Sequence, residues 1–391
     1  MNLTAAPEHG VDAGQASEAR ERILIAELIR RELAPRVNAI DHDGEYPQDF
    51  LRALGRLGGF AGVVSPTYGG SGKGLRDTIA TISLVSETCL STAFTVWCQT
   101  ACARYLQLSD NDTAKADLLP GLASGMQLGG TGLSNTLKSL CEIERYLLIA
   151  KRVDGGYEIN GTLPWVSNLG GDHVFVTGCP VDGDGRLVFF VVHCDQPGFR
   201  LIDGANFMAL EGTRTLACQF RGVHIADSRV LAHPEQSADY LARIQPGMIL
   251  AQLGMGLGLI RDCIGLVERS AKTHQHINCY EDDQPNELRC ALDAAENETF
   301  RLAALLDSGP SPDQGPAITL AVLKLRLAGG ELSLCAAKAA MLHQGARGYL
   351  RTATAQRRLR EAYFVAIVTP ALKHLRREIS RREAARAESL T

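Results

Sequence analysis

The sequence lacks the features that mark membrane-spanning, secreted or nucleic-acid-binding proteins. Its 391 residues include 40 Lys and Arg against 44 Asp and Glu, so there is no excess of positive charge to bind a nucleic-acid backbone. The longest nearly apolar run, residues 247–260, is shorter than the roughly 20 residues that a transmembrane helix needs. Residues 1–14 are polar and predict no signal peptide. The composition therefore predicts a cytoplasmic protein with no membrane or nucleic-acid partner.

Cysteine is present, but not in the patterns of disulfide-rich or zinc-binding proteins. The eleven cysteines are scattered, and no two of them form a Cys-x-x-Cys pair. This odd number predicts reduced thiols that are mostly buried. Hydrophobic residues make up 45% of the chain and charged residues 21%, which excludes wholesale disorder and provides for a sizeable core.

The periodicity of the hydrophobic residues divides the chain into a helical, a strand-rich and a second helical region. We predict an α+β fold with a flexible tail over residues 1–17 and an N-terminal helical domain over 18–126. A β-barrel domain follows over 127–233, and a C-terminal four-helix bundle over 234–391.

The middle region is predicted to be antiparallel because no long helix interrupts its strands. Short β-branched and apolar runs alternate there with Asp-Gly and Pro-Gly turns. This pattern favours an antiparallel sheet or barrel over a parallel sheet with crossover helices. Beyond Pro234 the periodicity predicts four long helices with short connections, which is typical of a bundle, over residues 244–273, 286–307, 317–343 and 353–388.

A cluster of glycines resembles a dinucleotide-binding fingerprint but does not fit it. Gly254, Gly256 and Gly258 alternate with apolar residues, and the third glycine of the motif would fall on Leu259. No strand precedes the cluster. We therefore interpret these glycines as small residues that let two helices pack closely.

A second cluster has the residue types of a metal site without its spacing. His274, His276 and Cys279 lie close together, but their spacing matches no zinc-binding pattern. We predict a solvated loop between helices at this position, and no metal site.

Two stretches are stronger candidates for a binding site. Trp165 follows a predicted strand and stands near Ser167, so an indole face and a hydroxyl could contact a planar heterocycle. The alternative is a tryptophan that closes the end of a barrel, and chemistry alone does not decide between them. Residues 129–135 are rich in glycine, and they form either a bare turn or a backbone surface that a ligand approaches closely.

Five motifs, in the same order along the chain, resemble those of the acyl-CoA dehydrogenase superfamily of flavoproteins. The resemblance covers about residues 20–385, and its clearest motif is the flavin-facing Trp-x-hydroxyl segment that ends at Asn168. The other motifs are a Tyr-Pro turn, a Pro-Thr-Tyr-Gly-Gly loop, a Leu-Glu-Gly-Thr-Arg segment and a Gly-then-Arg-Glu-Ala segment, at residues 46–55, 66–72, 210–231 and 345–362.

The resemblance implies a helical domain, a β-barrel and a four-helix bundle, which is the order that the periodicity predicts. It also implies FAD, a homodimer or homotetramer and an acyl thioester substrate carried by CoA or by a carrier protein. FMN, or reduced flavin used as a co-substrate, is the alternative, with an electron-transfer or reductase protein as a further partner. The residues that match the family's flavin contacts are Leu133, Ser134, Trp165 and Ser167, with Gly345 and Gly348 supplied by a partner subunit.

The chain departs from the family's pattern where the catalytic base is expected. The position of the family's glutamate falls on Thr369, and a threonine hydroxyl cannot act as a general base near pH 7. The alternative base position of some family members falls near Ile244, which is equally unsuited. The family's adenine-side arginine falls near Gln275. Glu361 is a substitute base in principle, although its motif position suggests an ion pair with an arginine.

Three hypotheses follow from this resemblance and its departures. The first is a flavin-dependent oxidoreductase of the acyl-CoA dehydrogenase type whose base is unidentified. The second is a flavin-dependent monooxygenase on the same scaffold, which uses reduced flavin and oxygen and needs no glutamate. The third is a non-catalytic relative that binds flavin or a thioester.

Overall fold

The N-terminal part of the chain is helical in the computed structural model, which describes residues 13–388 except Gly204. The side chains of residues 13–18 and Pro312 are likewise not described. The first helix begins at Ala13, so residues 13–17 of the predicted tail are helical, and the flexibility of the tail stays a prediction. Residues 1–12 lie outside the described part. The helices are α1 Ala13–Leu28, α2 Val37–His42, α3 Gln48–Arg56, α4 Gly74–Ser86, α5 Leu90–Gln107 and α6 Asp112–Ser124.

Helix α5 is buried on nearly every side, although its sequence is only weakly apolar. Two of its hydroxyl groups are satisfied within the helix: Thr95 donates to the carbonyl of Thr92, and Thr100 donates to that of Val96. Because these groups bond to their own helix, they enter the core without unpaired polar atoms.

The middle region forms two separate four-stranded sheets and not the predicted closed barrel. One sheet has the order β1-β4-β5-β8 and the other β2-β3-β7-β6. A further difference is that β1 pairs in parallel with β4, because helix α7, Leu133–Leu140, follows β1 and carries the chain away. The strands are β1 Gly129–Thr131, β2 Leu148–Val153, β3 Gly156–Val166, β4 Val174–Pro180, β5 Leu187–His193, β6 Phe199–Ile202, β7 Leu216–Ala226 and β8 Val230–Ala232.

The two sheets enclose a core of their own, which explains why they remain distinct. Phe175 packs against Phe199 and Phe220 at ring-centroid distances of 5.7 and 6.3 Å. Ala150 of β2 and Val181, the residue after β4, form an isolated bridge from one sheet to the other. Large side chains between the sheets hold them face to face, as in a sandwich.

The described part of the C-terminal region contains six α-helices, because two of the predicted helices are interrupted. The predicted helix over 353–388 ends at Ile367 and resumes at Leu372, with Pro370 in the break. The first long helix is divided at Gln252. The helices are α8 Ser237–Ala251, α9 Leu253–Asn278, α10 Pro285–Asp307, α11 Gly315–Gln344, α12 Thr354–Ile367 and α13 Leu372–Glu388.

The glycine cluster of α9 packs against α4, as predicted. A methyl group on Gly254 would lie 2.9 Å from the Ile79 carbonyl oxygen, and one on Gly258 would lie 2.1 Å from that of Ser83. The α9 backbone therefore approaches α4 too closely for any larger residue. The segment Ser237–Asn278 is long and apolar enough to cross a membrane by composition, but 83% of its most apolar window is buried within the protein. A buried core helix has the same composition.

The thiols agree with the prediction from the cysteine count. All eleven cysteines are free, and most of them are buried. The division into three domains with the stated boundaries stays a prediction.

Candidate functional site

The clearest convergence of predicted site residues joins Ser134 and Thr369, which are far apart in the sequence. Ser134 lies in the first turn of α7, and Thr369 lies in the break between α12 and α13. The Oγ atom of Ser134 is 2.8 Å from Oγ1 of Thr369, and both residues are partly buried. This contact joins the segment after β1 to the C-terminal helices.

Trp165 and Ser167 lie at the end of β3. Trp165 is 57% exposed, and its ring lies edge-on to Phe207 at 6.3 Å. Ser167 is buried, with its hydroxyl 2.6 Å from Oγ1 of Thr215. The exposure of the indole leaves its face accessible to a ligand. The alternative, a tryptophan that closes the end of a barrel, has no closed barrel to act on, since the two sheets are separate.

The loop after Trp165 is fixed against the strand that leads into α7. An isolated bridge pairs Thr131 with Ser167. Next to it, the buried Asn168 has a left-handed backbone with a φ of 63°. Its amide donates to the Gly129 carbonyl at 2.7 Å and accepts a hydrogen bond from the hydroxyl of Tyr46 at 2.6 Å. The tryptophan loop therefore lies beside β1 and close to the start of α7.

The donor groups at this edge fit one end of a flavin ring system. Helix α7 has no side-chain cap, so the N–H groups of its first turn are available to a ligand. The hydroxyls of Ser134 and Ser167 add donors and acceptors, and Trp165 offers a flat apolar face. An isoalloxazine has carbonyl and N–H groups along one edge and a planar face, which these groups complement. Leu133 is buried, so only its backbone can contribute.

Gly345 and Gly348 are not close to these residues within one chain. They lie at the end of α11, and Gly345 has a φ of 55°. Helix α12 separates them from Thr369, and its 14 residues span about 21 Å. Large exposed apolar side chains occur at this end of the molecule: Leu342, Tyr349 and Leu350 are near the glycines in sequence. Ile277 and Tyr280 lie at the end of α9, where Asn278 donates to the carbonyl of His343 near the end of α11.

Glu361 is held in a buried ion-pair network and is unavailable as a base. It is 1% exposed, and its oxygens accept from Arg357 at 2.9 Å and from Arg358 at 2.8 Å. Burial opposes the charge of Arg358, but the carboxylates of Glu361 and Asp262 outweigh it and raise the pKa of the guanidinium. The ion pair that the motif suggested is therefore present.

The other two positions singled out by the resemblance contain no ionisable group. Ile244 is buried within α8, and Gln275 is exposed near the end of α9, one residue beyond the irregular His274. Neither residue supplies a base or a cation to the site.

The loop predicted at residues 274–279 is wrong, because α9 continues to Asn278. Side chains of metal-ligand type also come together in another part of the molecule. Among the described residues, Cys141, His374 and Glu378 place their ligand atoms within 4.8 Å of one another. Burial raises the pKa of the Cys141 thiol to about 11, so it is protonated near pH 7. Arg377 and Arg381 lie close enough to act on the thiol and add positive charge. A neutral thiol among arginines disfavours a divalent cation, and we assign no metal here.

A polar cavity of about 390 Å³ lies at the opposite end of α12 from Thr369. Its acidic lining residues already have cationic partners: Asp41 pairs with Arg360, and Asp262 pairs with Arg358. The charges of these lining residues are thus compensated by ion pairs, and the cavity is separate from the Ser134 and Thr369 site.

Sequence reasoning missed one residue of the site, Gln252. Its side chain is fully buried, and Nε2 donates to the carbonyl of Thr369 at 2.9 Å. The available signal was its position as a polar residue within the apolar run 247–260. A buried amide in such a run must find partners, and here they include the backbone that carries Thr369.

Comparison with known proteins agrees with this fold. Residues 18–126 match the family model described as Acyl-CoA dehydrogenase, N-terminal domain. Benzylmalonyl-CoA dehydrogenase of Aromatoleum aromaticum is 25% identical over 343 residues, which cover 86% of this chain and 89% of that protein.

Solved structures show the same architecture at low sequence identity. Butyryl-CoA dehydrogenase of Megasphaera elsdenii superposes with a TM-score of 0.83 at 18% identity, covering 96% of this chain and 99% of that one. Dibenzothiophene monooxygenase TdsC of Paenibacillus sp. A11-2 superposes with a TM-score of 0.79 at 18% identity, covering 93% and 96%. TdsC is also known with FMN bound. The matched N-terminal domain and the shared fold show that this chain is similar to acyl-CoA dehydrogenases, in sequence and in architecture, over most of its length.

Proposed function

We propose that the protein is a flavin-dependent oxidoreductase of the acyl-CoA dehydrogenase type that acts on an acyl thioester. The observation that carries this proposal is the contact between Ser134 and Thr369, since it joins the flavin-side segment to the position of the family's base. Its partners in the proposed site are the exposed face of Trp165 and the hydroxyl of Ser167.

Each of these residues has a distinct part in the proposed site. Trp165 stacks on the flavin, and Ser134 and Ser167 exchange hydrogen bonds with the edge of its ring system. Thr369 faces the acyl group of the thioester. Bound FAD supplies an acceptor for two electrons, which none of the side chains can provide.

The second candidate is a monooxygenase that uses reduced flavin and oxygen, and the missing base favours it. Thr369 carries no ionisable group, and Glu361 is engaged with two arginines. Proton abstraction from an α-carbon therefore has no evident carboxylate among these groups. Dibenzothiophene monooxygenase TdsC, a monooxygenase by name, has the same fold, which supports this candidate. A non-catalytic relative that binds flavin or a thioester is the remaining alternative.

We also propose that the protein is a homodimer or homotetramer. The exposed apolar side chains around Gly345 and Gly348 support this, because burying them between subunits removes apolar surface from water. The two glycines then approach the phosphates or adenine of FAD bound mainly to the other subunit. We further propose that CoA or a carrier protein carries the thioester and that the protein works with an electron-transfer or reductase partner. We propose a cytoplasmic location.

Flavin binding and anaerobic reduction distinguish these candidates. Purified protein is titrated with FAD and with FMN, then mixed without oxygen with acyl-CoAs of several chain lengths while the flavin absorbance is followed. Bleaching supports the dehydrogenase, whereas oxygen consumption that requires reduced flavin supports the monooxygenase. Bound flavin with neither activity points to a non-catalytic relative, and no affinity for FAD or FMN contradicts the proposal.

A further inference from the structure

Arg326 is a buried cation next to the proposed site without an acidic partner among the described residues. It lies on α11, is 1% exposed and forms no ion pair there. Burial alone lowers the pKa of its guanidinium to about 10, so the side chain still carries its charge at pH 7. A buried charge is costly unless its surroundings supply compensating dipoles.

The compensating dipoles come from the end of α12 and from Gln252. One terminal nitrogen of Arg326, Nη2, donates to the carbonyl of Val365, in the last turn of α12. Carbonyls there lack helical partners and carry partial negative charge, which favours a cation. The Nε atom donates to Oε1 of Gln252 at 3.0 Å.

Gln252 transmits this interaction to Thr369. A guanidinium only donates hydrogen bonds, so the carbonyl oxygen of the Gln252 amide must face Arg326. The amide nitrogen then faces the other way, and Nε2 donates to the carbonyl of Thr369 at 2.9 Å. Without Arg326, the amide would have no charged group to fix its orientation.

The third nitrogen of the guanidinium reaches the beginning of α13. The Nη1 atom is buried without a hydrogen-bond partner. A methyl group on Gly330 would lie 3.0 Å from Nη1 and 2.7 Å from the side chain of Leu372. Gly330 thus leaves room for the guanidinium beside the first residue of α13. The guanidinium therefore donates to Val365 before the loop that carries Thr369, and it lies close to Leu372 after that loop.

We infer that Arg326 is a positioning residue, which holds the Thr369 loop opposite Ser134 through Gln252 and the end of α12. Replacing it with an apolar residue would remove a buried charge, so packing alone does not explain an arginine here. The inference rests on the proposed function only in treating Thr369 as part of a flavin site. The hydrogen-bond chain itself belongs to the protein without flavin.

The sharpest test is Gln252→Glu. The new carboxylate would pair with Arg326, which preserves the buried interaction, but it has no donor for the carbonyl of Thr369. Hydrogen exchange, measured by mass spectrometry on the flavin-free protein, should become roughly tenfold faster over residues 368–375 and stay unchanged in α9 and α10. The midpoint of thermal unfolding should remain within about 4 °C of the wild type.

Arg326 variants test the other part of the hydrogen-bond network, namely the bonds that Arg326 donates to Gln252 and Val365. Arg326→Met should accelerate exchange over the same residues, and Arg326→Lys should restore part of the protection because an ammonium can still donate to Gln252 or Val365. In the FAD-loaded protein, Gln252→Glu and Arg326→Met should alter the visible circular dichroism of the flavin. Arg261→Lys is the matched control, since this arginine of α9 binds Glu87 and Glu296 instead of the loop.

Two outcomes would overturn the inference. One is wild-type exchange over residues 368–375 in Gln252→Glu. The other is faster exchange spread evenly over the whole protein in Gln252→Glu and Arg326→Lys, which would indicate a general structural role. A wild-type protein that binds no flavin would contradict the proposed function, but the exchange experiment would still decide the role of Arg326.

Discussion

At the scale of single residues, the chemistry of the site depends on what replaces a carboxylate at Thr369. Its hydroxyl has a partner in Ser134 but no capacity to remove a proton near pH 7. The residue that differs from the family's pattern is therefore the one that decides between the proposed reactions.

Introducing a carboxylate at this position should increase dehydrogenase activity. We expect Thr369→Glu to accelerate flavin reduction by an acyl-CoA by roughly a hundredfold, since a positioned general base contributes on that order. Anaerobic stopped-flow absorbance measures the rate. Thr369→Gln is the control, because it has nearly the same size and no base. Equal rates in the two variants, or rapid bleaching in the wild type, would show that the base lies elsewhere.

The exposed indole of Trp165 should contribute to flavin affinity. We expect Trp165→Ala to weaken FAD binding by about 1 kcal/mol, or roughly fivefold, through loss of a stacking face. Trp165→Phe retains a ring and should bind nearly as well as the wild type. Fluorescence titration with FAD measures both. Unchanged affinity in the alanine variant would place the flavin away from this strand.

At the scale of secondary structure, glycines let α9 pack closely against α4, because they have no side chain between the two backbones. Gly258 faces the α4 backbone, whereas Gly265 lies further along the same helix and meets only the flexible end of Arg269. The same Gly→Ala substitution at these two positions therefore distinguishes the effect of helix packing on stability from the effect of helix propensity.

Gly258→Ala should destabilise the protein, and Gly265→Ala should not. The methyl group at Gly258 would lie 2.1 Å from the Ser83 carbonyl oxygen, so the helices must separate, at a cost of about 1–3 kcal/mol. At Gly265 the higher helix propensity of alanine should stabilise by up to about 1 kcal/mol. Urea unfolding followed by circular dichroism measures both. Similar unfolding free energies for the two variants would refute close packing at Gly258.

At the scale of the whole molecule, the exposed apolar side chains at the end of α11 predict self-association. Light scattering should give at least twice the 42.1 kDa mass of one chain. Leu350→Glu should lower this mass and weaken FAD binding, because a charge would enter the proposed interface. Leu305→Glu, at an exposed leucine of α10, should change neither. A wild-type mass of 42.1 kDa at micromolar concentration would contradict the proposed oligomer.

Buried histidines should make the protein less stable in mild acid. Burial lowers the pKa of His173, His193 and His374 below the usual value of 6.5. The unfolded chain then binds protons more readily, so stability present above pH 6.5 is lost as the pH falls below it. The urea midpoint should be lower at pH 5.5 than at pH 7.5.

The variant His173→Asn tests whether His173 contributes to this pH dependence of stability. His173→Asn can still donate toward the Asn168 carbonyl but cannot gain a proton, so its midpoint should fall less between the two pH values. An equal fall in the wild type and the variant would assign the dependence to other groups.

Much of the architecture was predictable because it depends on local patterns. Apolar spacing in α3 to α5, the turn pairs between the strands and the glycines of α9 each act within one or two elements. The break at Pro370 carried a local signal too, since proline interrupts helices. The resemblance then located Thr369, Trp165 and Ser167 by motif.

The sequence by itself determined the order of helical and strand regions, the close packing at the α9 glycines and the absence of a carboxylate at position 369. Only the tertiary structure decided that the sheets remain open, that Ser134 meets Thr369 and that Arg326 holds Gln252. These contacts join residues 74 to 235 positions apart. Hydrophobic periodicity describes which face of an element is buried, whereas the partner of that face is selected by the packing of the whole chain.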